Sequence, residues 1–213
     1  MIFVKSVNNI GRNRRFLWNL VKVFFPSQIR FFYEGHPKLH GQLWYQDRKL
    51  LYDTARIYKP IHCFEIGTWK GGGSTFFIAQ GLFKNRRGKL YTIEIVAEYY
   101  KEAIDKYNTY LPHILPYVKF HFGDYQNVYS DTLKSIGKID FLFLDGAENA
   151  EETERQYEFF SPFLKTGTLL AIHDWLTEKA KLIKPQIESS AQWKLKKLLL
   201  PPHSVGFALF QKE

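Results

Sequence analysis

Residues 61–74, Ile61-His62-Cys63-Phe64-Glu65-Ile66-Gly67-Thr68-Trp69-Lys70-Gly71-Gly72-Gly73-Ser74, decide the fold. A short apolar run ends beside an acid, breaks into a glycine-rich turn and leads into residues 72–83, whose apolar positions have helical spacing. Glycines let the backbone turn sharply and let a ligand come close, and the start of the following helix offers N–H groups with no partner inside the helix. The turn alone is weakly specific, because several nucleotide-like ligands are held this way.

Working outward, the same alternation repeats. Strands are expected near 61–66, 89–94, 117–122, 139–145 and 167–173, and helices over 72–83, 97–110, 126–135 and 149–164. Strands alternating with helices imply a parallel sheet covered on both faces. A further helix near 177–190 precedes two runs, 192–199 and 204–211, with Pro201 and Pro202 between them. They read as a terminal antiparallel hairpin. The expected architecture is a Rossmann-like α/β fold with seven mostly parallel strands. Upstream, Phe16, Leu17, Leu20, Val21 and Phe24 mark an amphipathic helix over 13–25, and a second helix is expected over 40–58. Residues 1–40 thus form a basic, partly helical extension, and 41–213 the domain itself.

The formal net charge of +9 is uneven. Residues 1–40 carry seven Lys/Arg against the single acid Glu34, so the body is only mildly basic. Three readings of the extension stay open: a lid packed on the body, a homodimer interface, or peripheral contact with an anionic membrane. Nucleic acid ranks below a small molecule as partner, because the body has no Lys/Arg stripe interleaved with aromatics. The lone Cys63 permits no intramolecular disulfide. Apolar stretches near the N-terminus are broken by Lys5, Arg12, Arg14, Arg15 and Lys22, and no run approaches the ~20 residues of a membrane span. A cytoplasmic protein is expected.

In open parallel sheets ligands bind at the carboxyl ends of the strands. Here those ends carry Glu65, Glu94, Asp124, Asp145 and the pair His173-Asp174. Helix capping accounts for some of the aspartates but poorly for Glu65 and Glu94. A carboxylate at Glu65 suits an ammonium group and would repel a pyrophosphate. Glu94 can accept from two ribose hydroxyls, and Asp124 from an adenine amino group. With Glu65-x-Gly67-x-x-x-Gly71, Gly73-Ser74, Glu94, Gly123-Asp124 and Asp145 in this order, the chain resembles the class I S-adenosylmethionine-dependent methyltransferases over roughly residues 55–213. The resemblance implies Glu65, Gly67, Gly71, Ser74, Glu94 and Asp124 as cofactor contacts, joined by Thr68, Trp69 and Asp145. The rival for this turn is an NAD-dependent short-chain-type oxidoreductase, whose glycine spacing Gly67-x-x-x-Gly71-x-Gly73 reproduces. That family places a Tyr-x-x-x-Lys pair late in the chain, whereas Tyr45 and Lys49 lie before the turn.

Phe141-Leu142-Phe143-Leu144 ends in Asp145-Gly146-Ala147-Glu148, and Leu169-Leu170-Ala171-Ile172 ends in His173-Asp174-Trp175. Neighbouring parallel strands bring Asp145, His173 and Asp174 together, and two carboxylates with an imidazole can hold a divalent metal. Here the sequence resembles the metal-dependent O-methyltransferases of catechol and sugar-modifying type, which implies magnesium or manganese on Asp145, His173 and Asp174 and a base at Glu148. His173 stands where that branch has an oxygen ligand, and Glu148 where it has Lys or His. Bland roles compete: Glu148, Glu151 and Glu152 suit a helix start, His173 a hydrogen-bonded strand end, and Cys63, His62 and His121 ordinary packing. The resulting expectation is methyl transfer to an oxygen of a small hydroxylated acceptor such as a sugar, glycan unit or secondary metabolite. The alternatives are the oxidoreductase and a non-catalytic cofactor-binding partner protein.

Overall fold

In the computed structural model, which describes residues 27–213, backbone contacts divide the chain into two units, residues 1–35 and 36–213. The first contributes the described helix α1 (Ser27–Glu34). The amphipathic helix expected over 13–25 lies outside the described residues. The second unit opens with α2 (Tyr45–Tyr58), followed by β1 (His62–Ile66), α3 (Ser74–Asn85), β2 (Lys89–Glu94), α4 (Ala97–Tyr110), β3 (Val118–Phe122), α5 (Tyr125–Ile136), β4 (Ile139–Leu144) and α6 (Ala150–Phe160). The long β5 (Leu164–His173), the short α7 (Ile183–Glu188), β6 (Trp193–Leu199) and β7 (Phe207–Lys212) complete it.

The seven strands form one sheet in the order β3-β2-β1-β4-β5-β7-β6. The first five are parallel; β7 is antiparallel to both β5 and β6. The expected seven-stranded Rossmann-like sheet with its terminal hairpin is therefore present. The order reverses between β1 and β4, which carry the glycine turn and Asp145, and such a switch point opens a crevice at the strand ends. Phe64, Leu142, Leu170 and Ile172 from the sheet pack with Tyr129 and Phe160 from α5 and α6 in one buried core. This burial, more than helix propensity, holds the crevice walls in place.

Local chemistry moves several boundaries. The helix expected over 149–164 stops at Phe160, because Pro162 constrains the chain into a 3-10 turn over Ser161–Phe163. β5 begins at Leu164, three residues before the expected start. A register shift against β4 absorbs Gly167 (φ +88°), and the Thr168 hydroxyl donates to the Ile139 carbonyl. The expected helix at 177–190 is broken into a 3-10 turn over Glu178–Ala180, capped by the Thr177 hydroxyl, and the separate α7. Among the described residues no helix is long and apolar enough to cross a membrane.

Candidate functional site

The crevice is a cavity of about 560 Å³ at the carboxyl edge of the sheet, a size typical of small-molecule sites. The structure brings Gly67, Thr68, Trp69, Ser74, Glu94, Asp124, Asp145, Glu148, His173 and Asp174 to its lining. Glu65 and Gly71 are the two expected site residues that do not reach it.

The turn after β1 explains why. Gly67 adopts φ +101°, and a Cβ there would come within 3.0 Å of the Gly146 Cα, so the turns after β1 and β4 are packed backbone to backbone. Gly72 serves the chain itself. Its N–H donates to the His40 carbonyl at 2.9 Å, and a Cβ on neighbouring Gly41 would fall 2.3 Å from the Gly72 oxygen. The Gly71 carbonyl accepts from the buried Tyr107 hydroxyl at 2.9 Å. Most of the glycine cluster thus admits the segment 39–41 and helix α4, while Gly67 and Gly73 face the cavity.

Glu65 lies beneath the turn with no solvent exposure. One of its oxygens accepts from the Thr75 and Thr92 hydroxyls, both at 2.6 Å, and the other is buried without a partner. Burial pushes its carboxyl up to about 7, against the pull of the neighbouring hydroxyls of Ser74, Thr75 and Thr92. Glu94 is held by the backbone. Oε2 accepts from the Trp69 N–H at 2.7 Å, and Oε1 from the N–H groups of Ile95 and Val96, both at 2.9 Å. A carboxylate offers about four acceptor directions, so roughly one remains for a ligand hydroxyl. Asp124 Oδ1 caps α5, accepting from the N–H groups of Gln126 at 2.9 Å and Asn127 at 3.3 Å, while the residue lines the cavity. Trp69 stands over the turn in a left-handed conformation (φ +47°), edge-on to Tyr99, with the Lys70 ammonium over both rings.

The far end of the cavity is held by opposite charges. His173 Nδ1 is 3.1 Å from Asp145 Oδ1 and 3.5 Å from Asp174 Oδ1, without an aligned hydrogen bond to either. Its Nε2 is 3.4 Å from Oδ2 of Asp47, a fully buried residue on α2. Lys179 Nζ lies 2.8 Å from Asp174 Oδ2. Burial alone would lower the His173 pKa; the carboxylates of Asp145, Asp174 and Asp47 outweigh it and carry it up to about 12. Asp174 is drawn down to about 2, first by His173 and then by Lys179, while burial moves Asp145 upward against the pull of His173. Asp174 also takes a left-handed backbone (φ +57°), strain of the kind that concentrates at functional sites. Beside this cluster is a hollow of about 10 Å³, room for one water-sized occupant, lined by Asp145, His173, Asp174, Thr153, Gln156 and Lys179.

Ligand atoms of Asp145, His173 and Asp174 all lie within 4.8 Å of one another, a spacing compatible with one divalent cation. The buried Nδ1, turned toward two carboxylates with no hydrogen bond of its own, fits a metal ligand. An O,O,N donor set suits manganese, iron or zinc better than magnesium. Asp47 and Lys179 escape a reading of the sequence. Asp47 had one faint signal: it shares the buried stripe of α2 with Leu51, Thr54 and Ala55, where a carboxylate is out of place.

A cavity at the switch point of a mostly parallel sheet, lined by acids at the strand ends, is a small-molecule site of the doubly wound α/β class. A family model described as a methyltransferase domain matches residues 64–175, more than half of the chain, and the chain belongs to that family. The expectation of a class I, S-adenosylmethionine-dependent methyltransferase is borne out. No curated protein matches the sequence. Among solved structures, the fold is similar to that of the O-methyltransferase TomG from Streptomyces achromogenes, involved in tomaymycin synthesis and solved with S-adenosylmethionine. TomG is 16% identical, with a TM-score of 0.68 over 91% of this chain and 94% of that one. An O-methyltransferase from Bacillus cereus in complex with S-adenosylhomocysteine is 16% identical, with a TM-score of 0.66 over 92% and 96%. An S-adenosylhomocysteine-bound methyltransferase from Podospora anserina is 16% identical, with a TM-score of 0.61 over 92% and 86%.

Proposed function

We propose that the chain transfers the methyl group of S-adenosylmethionine to an oxygen of a small hydroxylated acceptor: a sugar, a glycan unit or a secondary metabolite. The observation that carries this reading is the division of one cavity between two chemistries. Glu94 and Asp124 stand at one end, where a nucleoside offers hydroxyl and amino donors. Asp145, His173, Asp174 and Glu148 stand at the other, where an acceptor hydroxyl must lose a proton.

In this reading Glu94 receives a ribose hydroxyl, Asp124 the adenine amino group, and the segment Gly67, Thr68, Trp69 and Ser74 cradles the methionine part. Glu65 and Gly71 act from beneath, by fixing the turn. The methyl transfer is an in-line displacement, so most of the rate comes from holding the acceptor oxygen against the sulfonium methyl. Asp145, His173 and Asp174 would hold the divalent metal, which when bound supplies charge that lowers the acceptor hydroxyl's pKa. Glu148 lines the cavity and takes the proton as base. Lys179 steadies Asp174 through their ion pair.

The test is transfer of a labelled methyl group from S-adenosylmethionine to a panel of sugars, phenols and hydroxylated metabolites, with Mn²⁺ and with EDTA. Label in an ether product, lost in Asp145→Ala and Asp174→Ala, supports the assignment; full turnover in both variants sinks it.

We propose a cytoplasmic location, and for the basic segment 1–40 packing over the body first, for its apolar Phe16, Leu17, Leu20 and Phe24, with a homodimer interface or an anionic membrane surface as the further readings, for its charge. Unchanged liposome sedimentation after removal of residues 1–28 would discard the membrane role.

A further inference from the structure

We propose that Asp47, on the helix before the first strand, is a positioning residue: it holds His173 by Nε2 and so directs Nδ1 at the divalent cation between Asp145 and Asp174. This inference rests on the metal-assisted reading above and deepens it, because it adds to the site a residue outside the matched segment 64–175.

Three observations lead there. Asp47 has no solvent exposure, yet nothing in its helical role calls for burial. Its Oδ2 accepts from the Trp44 N–H at 3.3 Å, a helix-start hydrogen bond that an exposed aspartate makes equally well. Its neighbours on the buried stripe are Leu51, Thr54 and Ala55, so the position accommodates an uncharged side chain. A carboxylate in such a place needs a donor that offsets its lost hydration. Besides the Trp44 N–H and the charge of neighbouring Arg48, it meets His173, 3.4 Å away across 126 residues of sequence. Asp47 Oδ1 is buried with no hydrogen-bond partner, so the compensation falls on Oδ2, shared by the Trp44 N–H and His173, and on the nearby charge of Arg48.

The imidazole is gripped from both sides. Asp47 faces Nε2, while Asp145 and Asp174 face Nδ1 at 3.1 and 3.5 Å. Without a metal Nδ1 carries a proton between the two carboxylates; a cation bound there would displace it, and Nε2–H donated to Asp47 would leave the Nδ1 lone pair facing that cation. A carboxylate behind a ligating histidine fixes its tautomer and ring orientation and raises its basicity. Lys179 is the further cation beside the cluster, and it is committed to Asp174 on the opposite oxygen. The remaining space is the single-occupant hollow beside Asp145, His173 and Asp174.

Calorimetric titration of the full chain with MnCl₂ tests the assignment, with S-adenosylhomocysteine binding measured on every variant as a check on the cofactor end. Asp47→Ala should weaken Mn²⁺ by about 10–100-fold while S-adenosylhomocysteine affinity stays within about twofold. Asp47→Asn keeps the shape and an acceptor oxygen but loses the charge, and it should weaken Mn²⁺ at least about fivefold. Mn²⁺ affinity within about twofold of wild type in Asp47→Ala, with binding abolished in Asp145→Ala, would overturn the role of Asp47 and leave the metal site standing. Should Asp47→Ala fail to fold, the same criterion applies to Asp47→Asn. Absence of Mn²⁺ binding by the wild-type chain overturns the metal reading, and the role of Asp47 falls with it.

Discussion

The two ends of the cavity hold their acids by opposite means. At the end lined by Glu94, that residue and Glu65 beneath the turn are held by neutral donors: backbone N–H groups of Trp69, Ile95 and Val96 for the first, hydroxyls of Thr75 and Thr92 for the second. At the far end, Asp145, Asp174 and Asp47 share the His173 imidazole, and Lys179 adds a second cation. Neutral donors fixed by the backbone give a rigid cradle whose charge is left over for a ligand. Paired charges give a cluster whose balance changes when a proton or a metal arrives.

That contrast can be broken by substitution. The largest effect is expected for Asp145→Ala, which takes from His173 the carboxylate 3.1 Å from its Nδ1. Methyl transfer should fall by at least about a hundredfold with S-adenosylhomocysteine affinity nearly unchanged. Equal losses in both would show that the two ends are not separate. Glu94→Ala is the mirror experiment. Three backbone N–H groups lose their acceptor, and S-adenosylhomocysteine affinity should drop by about 10–100-fold by calorimetry, from the ~1.5–3 kcal/mol of hydrogen bonding to a charged group. Mn²⁺ affinity should be untouched.

Gly67→Ala should cost about 1–3 kcal/mol in urea unfolding, because alanine must adopt φ +101° with its Cβ against the Gly146 backbone. No loss there would mean that the turns after β1 and β4 are free to separate.

Glu65 sharpens the comparison through pH. Its folded value of about 7 lies above its ordinary value of 4.5, so between these limits the unfolded chain has lost a proton that the folded chain keeps. The folded state binds more protons, and stability falls as pH rises from 4.5 to 7. Glu65→Gln removes that contribution, so its urea midpoint should decline less across the same window. Parallel curves for variant and wild type would contradict the burial argument. Lys179→Met should have the smallest effect on stability, under about 1 kcal/mol, since a third of the lysine is solvated.

The fold was largely legible in the sequence because its signals are local. Apolar runs ending in Glu65, Glu94, Asp124, Asp145 and His173-Asp174 announce parallel strands, and the observed strands end on or beside those residues. The cluster of Asp145, His173 and Asp174 was legible because the two aspartates directly follow the paired strands β4 and β5, whose register sets Leu144 beside Ile172. What stayed hidden depends on contacts between distant segments. Asp47 reaches His173 only once α2 is packed beside the sheet end. Lys179 reaches Asp174 only because the expected helix over 177–190 begins as a 3-10 turn. The glycine cluster looked like a ligand cradle, yet Gly72 makes room for His40 and Gly41. A sequence records that a backbone must pass closely, not whether a ligand or the chain itself passes there. The burial of Glu65 was equally invisible: its place at a strand end is written in the sequence, its depth beneath Thr75 and Thr92 is not.

The central claim is that one end of this cavity receives S-adenosylmethionine. Calorimetric titration of the wild-type chain with S-adenosylhomocysteine and, separately, with NAD tests it most directly, each with and without EDTA. One S-adenosylhomocysteine per chain is expected, bound whether or not EDTA is present, with no heat from NAD. Binding of NAD, or of neither ligand, would contradict it.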